Sequence, residues 1–273
     1  MSTQGTAVIT GASSGIGAEF ARQLAARGYD LLLIARRRPN LERLASDLTA
    51  RHAVPVEILT ADLADPDQVE RVAARLAQLN EPELLVNSAG FGTTGRFLRV
   101  DVRKHLDMIQ VHLAANLRLA HAVLPAMANR KRGAIISVAS IGAFVALPGN
   151  VTYCATKAFL ASYTEGLEAE LRPVGIRVQV LCPGFTRTEF HDTPEYARFN
   201  PASLPSFLWQ SSEQVVSASL HGLERGQRVV IPGTFYRLMI GLGALPIVGR
   251  GLRAALVRRM MFARKPQARE ARK

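Results

Sequence analysis

Thr6-Ala-Val-Ile-Thr10-Gly11-Ala-Ser13-Ser14-Gly15-Ile16-Gly17 is the stretch that decides the fold. Residues 6–10 read as a short buried strand, the glycines as a turn, and the following residues to about Arg27 as a helix. Glycine lets a backbone come close to a pyrophosphate. The helix N-terminus beyond it offers unpaired N–H groups and the positive end of a dipole. A glycine-rich turn set between strand and helix is the context that a dinucleotide site requires.

Outward from this turn the alternation repeats. Asp30–Ala35 reads as a second strand and ends at Arg36-Arg37-Arg38. NAD-binding units often place a carboxylate here for the ribose 2′-hydroxyl. A small Ala35 followed by guanidinium groups suits a 2′-phosphate instead, so NADP(H) is expected over NAD(H), with Arg36 and Arg37 as its contacts. Val56–Thr60 is a third strand, with Asp62 and Leu63 at its end near the adenine. A helix from about Pro66 to Gln78 follows, then the strand Glu83–Asn87, which runs into Ser88-Ala89-Gly90. A helix from about Arg103 to Arg130 and two apolar strands, Gly133–Ala139 and Ile176–Cys182, complete the series. Strands alternating with helices predict an α/β, doubly wound parallel sheet with helices on both faces.

Chemistry concentrates between Ser140 and Lys157. Ser140 ends an apolar strand, and Thr156–Leu171 reads as a helix. Tyr153 and Lys157, four apart, share one helical face. Ligands in such sheets sit outside the carboxyl ends of the strands, where Ser140 can meet that face. An unperturbed phenol titrates at about pH 10, too high for efficient proton exchange at neutrality. The nearby ammonium is expected to lower it. Serine holds a carbonyl oxygen, and the trio suits protonating an oxygen while hydride reaches its carbon.

The rest of the composition bounds the setting. The chain has 273 residues, enough for one full core, and 34 Lys or Arg against 22 Asp or Glu give +12. The two cysteines, Cys154 and Cys182, make neither a disulfide framework nor a metal-ligand pattern, so no metal is expected. The N-terminus lacks a basic and an apolar signal region, and a cytoplasmic protein is expected. From Arg237 to Lys273, ten Lys or Arg stand against one Glu, so most of the net charge lies there. Residues 1–233 are read as the catalytic domain and 234–273 as a basic, partly apolar extension. The apolar run 238–249 is too short to span a bilayer. Two readings of the extension stand side by side: peripheral contact with an anionic membrane, or packing beside the pocket or a partner subunit. Nucleic acid is not expected, because the charge is terminal and no reading motif accompanies it.

Taken in order, Thr10–Gly17, Asn87-Ser-Ala-Gly90, Ser140, Tyr153-x-x-x-Lys157 and Pro183-Gly184 resemble the short-chain dehydrogenase/reductase family over roughly residues 5–232. The resemblance implies a Rossmann fold, NAD(P)(H) and assembly into homodimers or homotetramers. It assigns Gly11, Ser13, Ser14, Gly15, Ile16 and Gly17 to the cofactor turn and Arg36 to the NADP-selecting position. Asp62 and Leu63 fall at the adenine, Asn87, Ala89 and Gly90 beside the cofactor, and Pro183, Gly184, Thr186 and Thr188 around the nicotinamide. Ser140 becomes the carbonyl holder, Tyr153 the proton donor or acceptor, and Lys157 the group that binds ribose and lowers the tyrosine pKa. The family's catalytic Asn precedes a proline by thirteen residues. Counted from Pro125, that position holds His112, which is expected to hold the relay water and to titrate, with Asn116 left aside.

The implied reaction is an NADP(H)-dependent exchange between a carbonyl and a secondary alcohol on a small hydrophobic molecule. A redox-silent NADP(H)-binding regulator and a dehydratase or epimerase are the alternatives. The substrate segment is placed at 185–211, which carries Phe185, Phe190, Tyr196, Phe199, Phe207, Leu208 and Trp209, with Phe91, Phe144, Val145 and Leu147 facing it. An apolar lining is usual for a pocket, so acyl chains, sterols, retinoid-like molecules and xenobiotic ketones all stay open.

Overall fold

The computed structural model describes residues 4–193, 196, 200 and 204–244. Phe199 and most of the basic extension, residues 245–273, lie outside the described residues.

Seven strands form one parallel sheet in the order β3-β2-β1-β4-β5-β6-β9. They are β1 (Thr6–Thr10), β2 (Asp30–Ala35), β3 (Val56–Thr60), β4 (Pro82–Asn87), β5 (Gly133–Val138), β6 (Ile176–Leu181) and β9 (Val229–Val230). The order reverses between β1 and β4, which are hydrogen-bonded neighbours, and this opens a crevice at their carboxyl ends. Helices cover both faces, so the middles of β1, β2 and β4 are continuous apolar runs rather than alternating ones. Val8, Ile9, Leu33, Leu85, Val86 and Ile136 are fully buried, each contributing roughly 2 kcal/mol.

One face carries α1 (Gly15–Ala25), α2 (Arg38–His52) and α7 (Ser212–Glu224), whose apolar sides close a core with alternate strand residues. The other carries α3 (Pro66–Ala77) and α5 (Ala115–Arg130). Asp65 caps α3, its carboxylate accepting from the Asp67 and Gln68 N–H groups.

Two elements differ from the sequence reading in ways that matter to the site. The helix after Ser140, α6 (Val151–Leu171), starts at Val151 rather than Thr156, so Tyr153 stands in its first turn. The β-branched pair Val151-Thr152 hides that start, because such residues favour strands. The long stretch before β5 is also not one regular helix. It consists of α4 (Val102–Ile109), a π turn at Gln110–Ala114, where the Ala115 N–H reaches back five residues to the Gln110 carbonyl, and then α5. Such π turns insert an extra residue and are frequent at functional sites. This one contains His112.

The two-stranded pair β7 (Thr186–Arg187) and β8 (Gln210–Ser211) brackets the segment above the crevice. The last described element is α8 (Thr234–Ala244). Its Tyr236 is 3% exposed, donating to the Leu208 carbonyl and accepting from the Phe185 N–H, so the start of α8 packs on Phe185 and Leu208. Among the described residues, no helix is long and apolar enough to cross a membrane.

Candidate active site

The glycine turn is built by backbone packing on backbone. A Cβ on Gly17 would overlap the Gly11 carbonyl, and one on Gly11 would lie 2.9 Å from the Ala89 backbone nitrogen. Ser14, the N-cap of α1, makes no side-chain cap, which leaves the first-turn N–H groups to an external acceptor. Thr10, which sequence reasoning passed over, pins the opposite loop. Its hydroxyl donates to the Val86 carbonyl and accepts from the Ser88 and Ala89 N–H groups, both at 3.0 Å. Its position directly before Gly11 was the available signal. Asn87 is buried at the end of β4, and its Nδ2 has no hydrogen-bond partner among the described residues. A close-packed turn, open helix N–H groups and an orphaned buried donor fit a dinucleotide.

The arginines divide. Arg36 is 70% exposed and stands 3.8 Å from Asp62 Oδ2, while Leu63 beside it is buried. Arg37, not Arg36, reaches the glycine turn, donating to Ser13 Oγ at 3.2 Å and Ser14 Oγ at 2.7 Å.

Ser140, Tyr153 and Lys157 meet at the carboxyl end of β5. Ser140 accepts from the Gly142 N–H at 3.1 Å, and a Cβ on Gly142 would meet both Ser140 Oγ and the Tyr153 ring at 3.4 Å. Lys157 Nζ donates to the Val138 carbonyl at 2.9 Å and lies 5.6 Å from the centre of the Tyr153 ring. The expected lowering of the tyrosine is corrected here. Burial pushes the Tyr153 phenol up to about 12, against the smaller opposing effect of the neighbouring Ser140 hydroxyl. Lys157 does not offset this, because burial pushes its own ammonium down to about 8. At neutral pH the pair is therefore phenol and ammonium.

His112 is also corrected. It is 1% exposed, and its Nε2 accepts from the Phe91 N–H at 3.2 Å. Its Nδ1 lies 2.9 Å from Thr156 Oγ1. That hydroxyl gives its only proton to the Tyr153 carbonyl at 2.8 Å, so it must accept from His112. The ring is thus neutral with hydrogen on Nδ1, and both nitrogens are engaged by protein. Burial, then the Lys157 charge, hold it well below the ordinary imidazole range. It ties the loop after β4 to the turn of α6 that carries Tyr153. It neither titrates near neutrality nor presents an unengaged nitrogen to a water. Asn116, one turn on, is structural, donating to Ser137 Oγ at 3.2 Å.

Above the site, Pro183 accepts from the Ile141 N–H, Thr186 donates to the Gly184 carbonyl, and Thr188 accepts from the Phe190 N–H. Phe190 lies over Tyr153, 6.0 Å between ring centres, and packs on Tyr196 at 5.3 Å. Phe91 sits edge-on to His112. Phe185 turns instead toward Trp209, at 5.6 Å. Phe144 lies exposed on the turn 141–144, with Val145 half-buried behind it. Glu189, unnoticed in the sequence, pairs with Arg37 at 2.7 Å. Among the described residues no cluster of His, Cys, Asp or Glu could hold a metal ion.

The chain is similar to known proteins. Residues 5–196 match the family model for short chain dehydrogenases. An uncharacterized oxidoreductase of Myxococcus xanthus is 36% identical over 192 residues, 70% of this chain and 76% of that one. A very-long-chain 3-oxoacyl-CoA reductase of Phaeosphaeria nodorum is 32% identical over 238 residues, 84% of this chain and 67% of its own. Among solved structures, a short-chain dehydrogenase from Sphingobium yanoikuyae in complex with NADPH superposes with a TM-score of 0.79 at 34% identity, covering 98% of this chain and all of that one. The bulky-bulky ketone specific alcohol dehydrogenase from Comamonas testosteroni gives 0.76 at 31% identity, covering 99% and 98%. A match this long, on a sheet of this order with the motif residues gathered at one crevice, places the chain in the short-chain dehydrogenase/reductase family of oxidoreductases.

Proposed function

We propose that this oxidoreductase is NADP(H)-dependent and interconverts a carbonyl and a secondary alcohol on a bulky, apolar small molecule, with Tyr153 as the acid and base. The observation that carries the reading is the meeting of Ser140, Tyr153 and Lys157 at the carboxyl end of β5, with Lys157 Nζ 5.6 Å from the centre of the Tyr153 ring and both Ser140 and Tyr153 flanking Gly142. When bound, the nicotinamide supplies the hydride that the carbonyl carbon takes up. Ser140 and Tyr153 hold the carbonyl oxygen, and the Tyr153 hydroxyl gives it a proton as the alcohol forms. A phenol pushed up to about 12 still has its proton at neutral pH, which suits the reductive direction. Gly11–Gly17, Asn87, Ala89, Gly90, Asp62, Leu63 and the loop 183–188 would hold the dinucleotide, with Arg36 and Arg37 on a 2′-phosphate.

Support for NADP(H) comes from Ala35 followed by arginines and from the likeness to an NADPH complex. Support for a bulky apolar substrate comes from the rings of Phe91, Phe190 and Tyr196, and from likenesses to a 3-oxoacyl-CoA reductase and a bulky-ketone dehydrogenase. The same reading includes homodimer or homotetramer assembly, with the basic extension either in peripheral contact with a membrane or packed beside the pocket or a partner subunit, as Tyr236 of α8 does on Phe185 and Leu208.

Turnover of NADPH with a panel of aryl, steroid and acyl ketones tests it. Tyr153→Phe should lower kcat by roughly a hundred- to ten-thousandfold, the range of a positioned acid–base group. Reduction should stay level through neutral pH and fall above about 8, where the Lys157 ammonium is lost. A chain that binds NADPH yet turns over none of the panel would be a nucleotide-binding regulator. NADH bound as tightly as NADPH would overturn the cofactor.

A further inference from the structure

Arg37 and Glu189 join the two walls of the crevice. Arg37, at the entry to α2, donates from Nε and Nη2 to Ser13 Oγ at 3.3 and 3.2 Å, and from Nη2 to Ser14 Oγ at 2.7 Å. Its Nη1 meets Glu189 Oε2 at 2.7 Å. Glu189 opens the single turn 189–191, and the next residue is Phe190, over Tyr153. Thr188, just before, presses on the glycine turn, since a Cβ on Gly15 would meet its Cβ and Cγ2 at 3.1 Å. The ion pair thus straps the substrate side onto the cofactor side.

A phosphate monoester held by Ser13, Ser14 and Arg37 needs these same donors. A guanidinium grips an oxyanion through two N–H groups on one edge. The edge formed by Nε and Nη2 is on Ser13, and the edge formed by Nη1 and Nη2 spans Glu189 and Ser14. A serine hydroxyl can turn and donate to a phosphate. Glu189 cannot, because it carries the phosphate's own sign and repels it.

We propose that Glu189 is a cofactor-specificity determinant that competes with the 2′-phosphate for Arg37. Binding of a 2′-phosphorylated cofactor releases Glu189, and with it the turn that carries Phe190 over the phenol. The 2′ site and the substrate roof are thereby coupled through one carboxylate. This inference rests on the NADP(H) reading above.

The test uses the full chain and Glu189→Gln, with 2′,5′-ADP and 5′-AMP as probes in calorimetry. The parent should prefer 2′,5′-ADP. The variant should bind 2′,5′-ADP about three- to tenfold more tightly and 5′-AMP unchanged, a modest gain because half-exposed ion pairs are weak. Trp209, the chain's single tryptophan, packs on His191 at 5.5 Å and reports the turn. Its fluorescence should shift with 2′,5′-ADP in the parent and little in the variant. If parent and variant prefer 2′,5′-ADP equally, or Trp209 responds alike in both, the competition is overturned while NADP(H) stands. If only the variant prefers it, the competition stands and the NADP(H) reading falls. If neither prefers it, both fall.

Discussion

The two walls of the crevice are built by different means. Its floor, the glycine turn against Ser88-Ala89 and the ends of β4 and β5, is backbone against backbone, pinned by the Thr10 hydroxyl. Its roof, the described residues among 185–211 with α8, is ring against ring: Phe185, Phe190, His191, Tyr196 and Trp209 in one cluster, fastened by Tyr236. Backbone contact fixes residue identity, since any Cβ would collide. Ring clusters accept many partners at many angles. A floor made this way tolerates little substitution, while a roof made this way can be retuned for a new substrate.

Gly17→Ala tests the floor and should have the largest effect of the changes within it. Its methyl group would overlap the Gly11 carbonyl, and overpacking of this kind costs about 1–3 kcal/mol. NADPH affinity should fall by about a hundredfold, with a lowered melting temperature. Wild-type values for both would show the floor to be as forgiving as the roof.

His112 lies between floor and roof and tests whether a buried tie behaves like either. His112→Ala leaves the Phe91 N–H and Thr156 hydroxyl without their partner, a cost of about 1–3 kcal/mol for each buried group. Turnover at saturating cofactor should fall about tenfold. His112→Asn, which can still accept from the Phe91 N–H, should stay within about threefold of the parent. Neither change should alter an acid limb near pH 6.5, because burial and the Lys157 charge keep the ring neutral through that range. An acid inflection that vanishes with His112 would restore a proton-carrying role.

Phe190→Ala tests the roof and should have the smallest effect. Removing the ring over Tyr153 should raise KM for bulky ketones about three- to tenfold and leave kcat nearly unchanged. A loss of kcat as large as that of His112→Ala would mean that Phe190 positions the phenol as well as enclosing substrate.

The same division explains what was legible in the sequence. The sheet, the glycine turn and the Ser140–Tyr153–Lys157 grouping follow from strand and helix periods and from residue types that close approach demands. The direction of the Tyr153 shift did not, because spacing places the ammonium near the phenol but says nothing of burial, which outweighs it. His112 was found by position, yet its partners Phe91 and Thr156 lie 21 and 44 residues away, beyond any local pattern. Arg37 and Glu189 are 152 residues apart, and a surface carboxylate carries no signature of the cation it will meet.

The π turn at Gln110–Ala114 acts as a phase shifter between two helices that answer to different neighbours. Upstream, His105 of α4 engages Thr152 of α6, and downstream, Asn116 of α5 engages Ser137 of the sheet. One residue more or fewer rotates everything beyond it by about 100°. Deleting a residue from the turn, and so making the helix regular, would swing Asn116 off Ser137 or His112 off Phe91. No point substitution can mimic that displacement, so length, more than composition, is what this segment has to preserve.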